Sequence, residues 1–160
     1  MEQSLILRTL KEKFGDAVLS THSALGEDTV VVAKSSLLDL ARFLKDEADP
    51  RFDVLMDVTA VDFLRRKPRF EVVYHFLAVK ARARLRVKVP VGEPDPEVET
   101  LSGLWKGANW FEREAYDMFG IGFRNHPDLR RILMYPEFEG HPLRKDYPIN
   151  KRQPLVGPRD

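Results

Sequence analysis

Apolar positions along the chain change period several times, and each change marks an element. Leu5, Ile6, Leu10 and Phe14 fall near the spacing of one helix face, and Gly15 follows as a stop. Two strand-like runs come next, "AVLSTHSAL" and "DTVVVAK", with Gly26-Glu27-Asp28 reading as the hairpin turn between them. Ser35 and Ser36 offer an N-cap for a second helix, "LLDLARFLKDEA", which Asp49-Pro50 closes. Three longer strands then follow in close order: "FDVLMDVTAVDFL", "RFEVVYHFLAV" and "ARLRVKVPV". Their junctions, "RRKP" and the pair Lys80-Ala81, are short, so an antiparallel meander is the economical arrangement.

After Pro90 the character changes. "GEPDPEVE" reads as an acidic, proline-rich loop, and a short helix is expected from about Val98 to Leu104. Asn109 then stands as a cap three residues before Glu112, in a capping-box-like spacing, and Gly120 ends a helix over residues 110–119. From His126 on, six prolines in 35 residues remove amide donors and restrict their predecessors. That tail is expected to be extended and irregular, and to gain order from a partner. The pattern predicts an α+β fold: N-terminal helices with a mixed or antiparallel sheet including a three-strand meander, then a short helix and an extended proline-rich C-terminal tail. Residues 1–104 read as an N-terminal α/β domain and residues 105–160 as a charged helix and partner-binding tail, one structural unit overall.

Composition narrows the chemistry. A formal charge of +1 gives no global field towards nucleic acid or membrane. The absence of cysteine removes disulfides, thiolate-held iron–sulfur clusters and a cysteine nucleophile. No stretch approaches the roughly 20 apolar residues of a membrane span, and the charged N-terminus is not a signal peptide. Any membrane connection is therefore expected through a partner. The four histidines, His22, His75, His126 and His141, lack metal-ligand spacing. His75 reads as a hydrogen-bonded strand residue, and His126 and His141, each before a proline, as loop anchors. Lys80, Arg82, Arg84, Arg86 and Lys88 alternate, so they share one face with no acid among them. A nucleic-acid groove is one reading of that ribbon, and a solvated sheet face is the plainer one.

The densest chemistry lies in "WFEREAYDMFGIGFRNHPDLRRIL", residues 110–133. Glu112, Glu114 and Asp117 invite a general acid–base reading, yet no nucleophile, glycine-rich loop or metal cluster accompanies them. Capping and pairing with Arg113 and the downstream arginines account for them more simply.

"EREAYDMFGIGFRNHPDLRRIL" followed by "EGHPLRKDYP" closely resembles the signature of the thirty-kilodalton subunit, or C subunit, of bacterial NADH–quinone oxidoreductase, respiratory complex I. The resemblance covers the last third of the chain directly. It implies a non-catalytic peripheral-arm subunit on the cytoplasmic side of the inner membrane, peripheral to it, supporting the quinone-binding module beside subunits B and D. FMN, iron–sulfur clusters and quinone would then sit in partner subunits, with no cofactor in this chain. The partner-binding residues it implies are Glu112, Arg113, Glu114, Asp117, His126, Asp128, Arg130, Arg131, His141, Arg144, Asp146 and Tyr147. Asn125 departs from the glycine that many relatives carry there, which asks the backbone to avoid glycine-only angles. Homologous subunits of plastoquinone-reducing complexes and membrane-bound hydrogenases are the alternative. A basic-ribbon nucleic-acid binder is the distant one.

Overall fold

The computed structural model describes residues 4–153 and 156–157. Chain order is α1 (Leu5–Phe14), β1 (Val18–Ala24), β2 (Glu27–Val32), α2 (Leu37–Asp46), β3 (Val54–Asp62), β4 (Phe70–Ala78), β5 (Ala83–Val91), β6 (Glu97–Glu99), α3 (Ala108–Phe119) and β7 (Gly122–Arg124). Five strands form one sheet in the order β1-β2-β5-β4-β3. The expected meander is present: β3 with β4 and β4 with β5 are both antiparallel. β2 joins β5 in parallel, which makes the sheet mixed.

Alternation sorts the two sheet faces. Phe70, Val72, Tyr74 and Phe76 of β4 oppose Val91, Val89, Val87 and Leu85 of β5 and are buried. Leu7 and Leu10 of α1, Leu37, Leu40 and Leu44 of α2, and Ala115 and Met118 of α3 join them in one core. Burying one such side chain contributes about 1.5–3 kcal/mol, so this interleaved layer carries most of the stability. Pro90 interrupts nothing, because the β2–β5 pairing ends at Val31 and Lys88.

Several expectations need correction. In α1 it is Leu7, with Ile6 and Leu10, that packs inward, while Leu5 faces solvent. The hairpin turn is Leu25-Gly26, at φ 53° and 80°, so Glu27 and Asp28 already belong to β2. Ser36 makes no side-chain cap, since a 3-10 turn over Lys34–Ser36 leads directly into α2. No helix spans 98–104: residues 97–99 are β6, paired in parallel with β7, followed by turns. The acidic loop thus ends in a strand whose partner lies beyond α3. The basic row on the outer sheet face is not unopposed either. Glu27 lies 3.5 Å from Arg84 and 2.6 Å from Arg86, and Glu71 lies 2.9 Å from Lys88. These acids come from β2 and β4, across the sheet, so scanning one strand could not show them.

Candidate functional site

α3 begins earlier than its spacing suggested, at Ala108 after Gly107, so Asn109 lies within the helix and caps nothing. Glu112 is free of any capping box. It points inward, fully buried, where its carboxylate accepts the Thr100 hydroxyl and the Leu101 amide, the latter at 2.7 Å. Burial pushes its pKa up to about 7, with those two bonds opposing the rise. The Tyr74 hydroxyl is buried nearby without a hydrogen-bond partner, and burial together with the Glu112 charge raises its phenol.

Asp117 is equally buried and behaves in the opposite way. One carboxylate oxygen accepts the backbone N–H groups of Ile132, Leu133 and Met134 at 3.0, 2.8 and 2.8 Å. The other accepts Arg131 Nη1 at 2.7 Å. Burial pushes this carboxyl up, but the three amides and the guanidinium together outweigh it and hold it below its usual range.

The tail is strapped to α3 by further bonds. His141 Nδ1 donates to the Asp117 carbonyl at 2.9 Å, and burial keeps this imidazole below its usual pKa. Arg144 Nε donates to the Phe119 carbonyl at 2.6 Å, and the Leu143 amide donates to the Met118 carbonyl at 3.1 Å. Arg131 Nη2 reaches the Gly140 carbonyl at 3.0 Å. Gly120 permits the close approach. It caps α3 at φ 70°, and a Cβ there would lie 2.5 Å from the His141 ring and 2.7 Å from Arg144 Nη2.

His126 accepts the Asp128 amide on Nδ1 at 3.0 Å, so Nε2 carries the proton and donates to the Asn109 carbonyl at 3.1 Å. Asn125, just before it, takes a left-handed φ of 63°, which asparagine tolerates, and donates to Glu99 at 2.9 Å. Asp128 and Arg130 pair at 3.0 Å on the surface. Arg113 is buried against the Arg130 and Arg131 carbonyls, while Glu114 is exposed. Tyr147 stacks on Phe138, with ring centroids 5.9 Å apart, and its hydroxyl accepts Gln153. Asp146 leaves this group altogether. It pairs at 2.8 Å with Arg69, a guanidinium that also holds Asp62 and Glu93. The Arg69 bond, foremost, lowers the Asp146 carboxyl.

Arg113, Asp117, Arg131, His141 and Arg144 therefore meet along one seam between α3 and the tail, and Asp146 fastens a second point on the sheet. Sequence reasoning missed Thr100, Asp62, Arg69 and Gly120's second role. Asp62 and Arg69 had a legible signal, since they flank the β3–β4 turn and so face each other. Among the described residues no group of three or more histidines and carboxylates could hold a metal, and no helix is long and apolar enough to cross a membrane.

Fold and seam together define an α+β domain with a charged helix and a strapped, proline-rich arm. Residues 30–153 match the family model described as the 30 Kd subunit of respiratory-chain NADH dehydrogenase. Similar proteins named as the C subunit of NADH-quinone oxidoreductase include one from Geotalea uraniireducens (strain Rf4), 49% identical over 92% of this chain and 90% of its own. Another, from Roseiflexus sp. (strain RS-1), is 45% identical over 96% and 88%. Among solved structures, a trypsin-resistant fragment of Nqo5 is 32% identical at a TM-score of 0.65, over 78% of this chain and 98% of that one. A chain of the membrane-bound sulfane sulfur reductase, an archaeal respiratory membrane complex, reaches a TM-score of 0.76 at 23% identity, over 91% and 85%, a likeness of fold. The chain belongs to the family of the 30 Kd subunit of respiratory-chain NADH dehydrogenase, a component of an enzyme complex.

Proposed function

We propose that this chain is a non-catalytic peripheral-arm subunit of a proton-translocating NADH:quinone oxidoreductase. It lies on the cytoplasmic side of the membrane and supports the quinone module beside subunits B and D. FMN, iron–sulfur clusters and quinone belong to those partners and others. The observation that carries this reading is the use the motif makes of its charges. Asp117 of α3 collects tail amides, and Arg131 and Arg144 of the tail bond back to α3, while Trp110, Leu133, Leu143 and Ile149 stand exposed along α3 and the arm. Internally satisfied charge makes a rigid support, and apolar groups left in water favour a docking surface over a reaction centre.

Co-purification tests the reading. An affinity-tagged full chain, extracted in mild detergent from its native membranes, is expected to bring a flavin- and cluster-bearing NADH:quinone reductase with it. Recovery of the chain alone, or with a module that oxidises another donor, would overturn the proposal.

A further inference from the structure

Among the described residues two arginines are buried, and they are treated differently. Arg69 is surrounded by three carboxylates, those of Asp62, Glu93 and Asp146. Arg113 is 7% exposed, and among the described residues no carboxylate lies within 4.0 Å of its guanidinium. Its Nε donates to the Arg130 carbonyl at 3.2 Å and its Nη2 to the Arg131 carbonyl at 3.3 Å, while Nη1 donates to none of the described residues. Arg113 lines a cleft of about 510 Å³ between α3 and the tail, together with Tyr116, Leu129, Ile132 and Met134. Arg130 and Arg131 line the same cleft, but each already has its own acid. The face of the Trp110 ring, 60% exposed, lies 5.1 Å from the Arg113 guanidinium.

A guanidinium withdrawn from water and held only by neutral carbonyls has lost solvation without gaining a counter-ion. Its planar fork, with one nitrogen free, suits a carboxylate. Tyr and Arg in the cleft, with Trp110 stacked beside Arg113, are also among the residue types on which protein interfaces concentrate their affinity. We propose that this cleft receives an aspartate or glutamate side chain of a neighbouring protein subunit, with Arg113 as its counter-ion. The proposal rests on the assembly reading above and names the chemistry of one of its contacts.

The test uses the complex purified from native membranes with R113K in the tagged full chain. A water-soluble carbodiimide activates a carboxylate as an O-acylisourea. The R113K amine, if adjacent, displaces the urea and forms an isopeptide bond. Peptide mass spectrometry is expected to find position 113 joined to an Asp or Glu of another subunit. No such link while surface lysines of the same sample are joined, or a link to this chain's own carboxylate, overturns the proposal. Should R113K fail to assemble, the wild-type protein decides. Phenylglyoxal is expected to modify Arg113 about tenfold more slowly in the complex than in the free chain, as a desolvated contact requires. Equal rates overturn it. Flotation of the free chain with phosphatidylglycerol vesicles, lost in R113Q, would reassign the cleft to a lipid headgroup. Co-purified subunits with no link at 113 sink this proposal alone; recovery of the chain without subunits sinks the assembly reading.

Discussion

Glu112 and Asp117 lie on one helix, both fully buried, and their environments push them in opposite directions. Glu112 has two donors and Asp117 has four, including a guanidinium, and that difference decides the sign. Replacing Asp117 by asparagine keeps one acceptor oxygen but turns an amide donor towards Arg131 or the backbone N–H groups. Breaking a buried charge pair from one side costs about 3–5 kcal/mol, so D117N is expected to lower Tm by roughly 2–4 °C for each of those. Thermal unfolding of the free chain measures it. For Glu112 the folded pKa, about 7, exceeds the ordinary 4.5. Protonated in both states below 4.5, it destabilises nothing there. As pH rises from 4.5 to about 7 the unfolded chain ionises first and stability falls, by on the order of 3 kcal/mol. His75 and His141, lowered from 6.5, add stability as pH rises through part of that window, so wild type alone would mask the effect. Asp117, Asp62 and Asp146 act only below their ordinary 3.8, where their stabilisation is lost as pH falls. The difference between E112Q and wild type isolates Glu112: E112Q is expected to gain stability relative to wild type between pH 4.5 and 7. A pH-independent difference would show that Glu112 does not titrate there.

At the scale of elements, the helices and the meander could be read from the chain because their signals are local. Leu37, Leu40 and Leu44 keep helical spacing, and the buried row of β4 keeps period two. What escaped reading depends on residues far apart in sequence. β6 is three residues long, two of them acidic, and becomes a strand only because β7 arrives after α3. The acids opposite Arg86 and Lys88 sit on other strands. Asn109 had the chemistry of a cap, but the helix starts ahead of it. Likewise the family motif was legible as a string, whereas its use of Asp117 to collect three tail amides was not. Those amides define a test. In hydrogen exchange on the free chain, Ile132, Leu133, Met134, Leu143 and Lys145 are expected to exchange slowly, since each donates to a group in the body of the domain. G120A should speed exchange at Leu143 and Arg144. A left-handed φ costs a non-glycine residue about 1–2 kcal/mol, and the added Cβ strikes His141 and Arg144 as well. Fast exchange at all five amides in wild type would mean the tail orders only on a partner.

For the whole molecule, strapping the arm to the domain and docking the domain into a complex become one thermodynamic problem. A subunit whose arm is already held loses less conformational entropy on association, so loosening the arm weakens assembly even where no contact residue is changed. R131A removes the Asp117 partner and the bond to the Gly140 carbonyl but also a side chain of the Arg113 cleft, whereas D117N loosens the arm without changing a residue that lines the cleft. R130A removes an exposed pair with Asp128, worth well under about 1 kcal/mol, and trims the cleft wall without touching the bonds that hold the arm. We expect R131A and D117N to reduce the amount of assembled complex, and R130A to leave it nearly unchanged. Quinone reductase activity should fall in proportion to assembly, with turnover per assembled complex constant. Native gels and activity measured on the same membranes separate the two quantities. Full assembly of D117N with turnover reduced about a hundredfold would return Asp117 to the candidates for proton transfer and sink the supporting role.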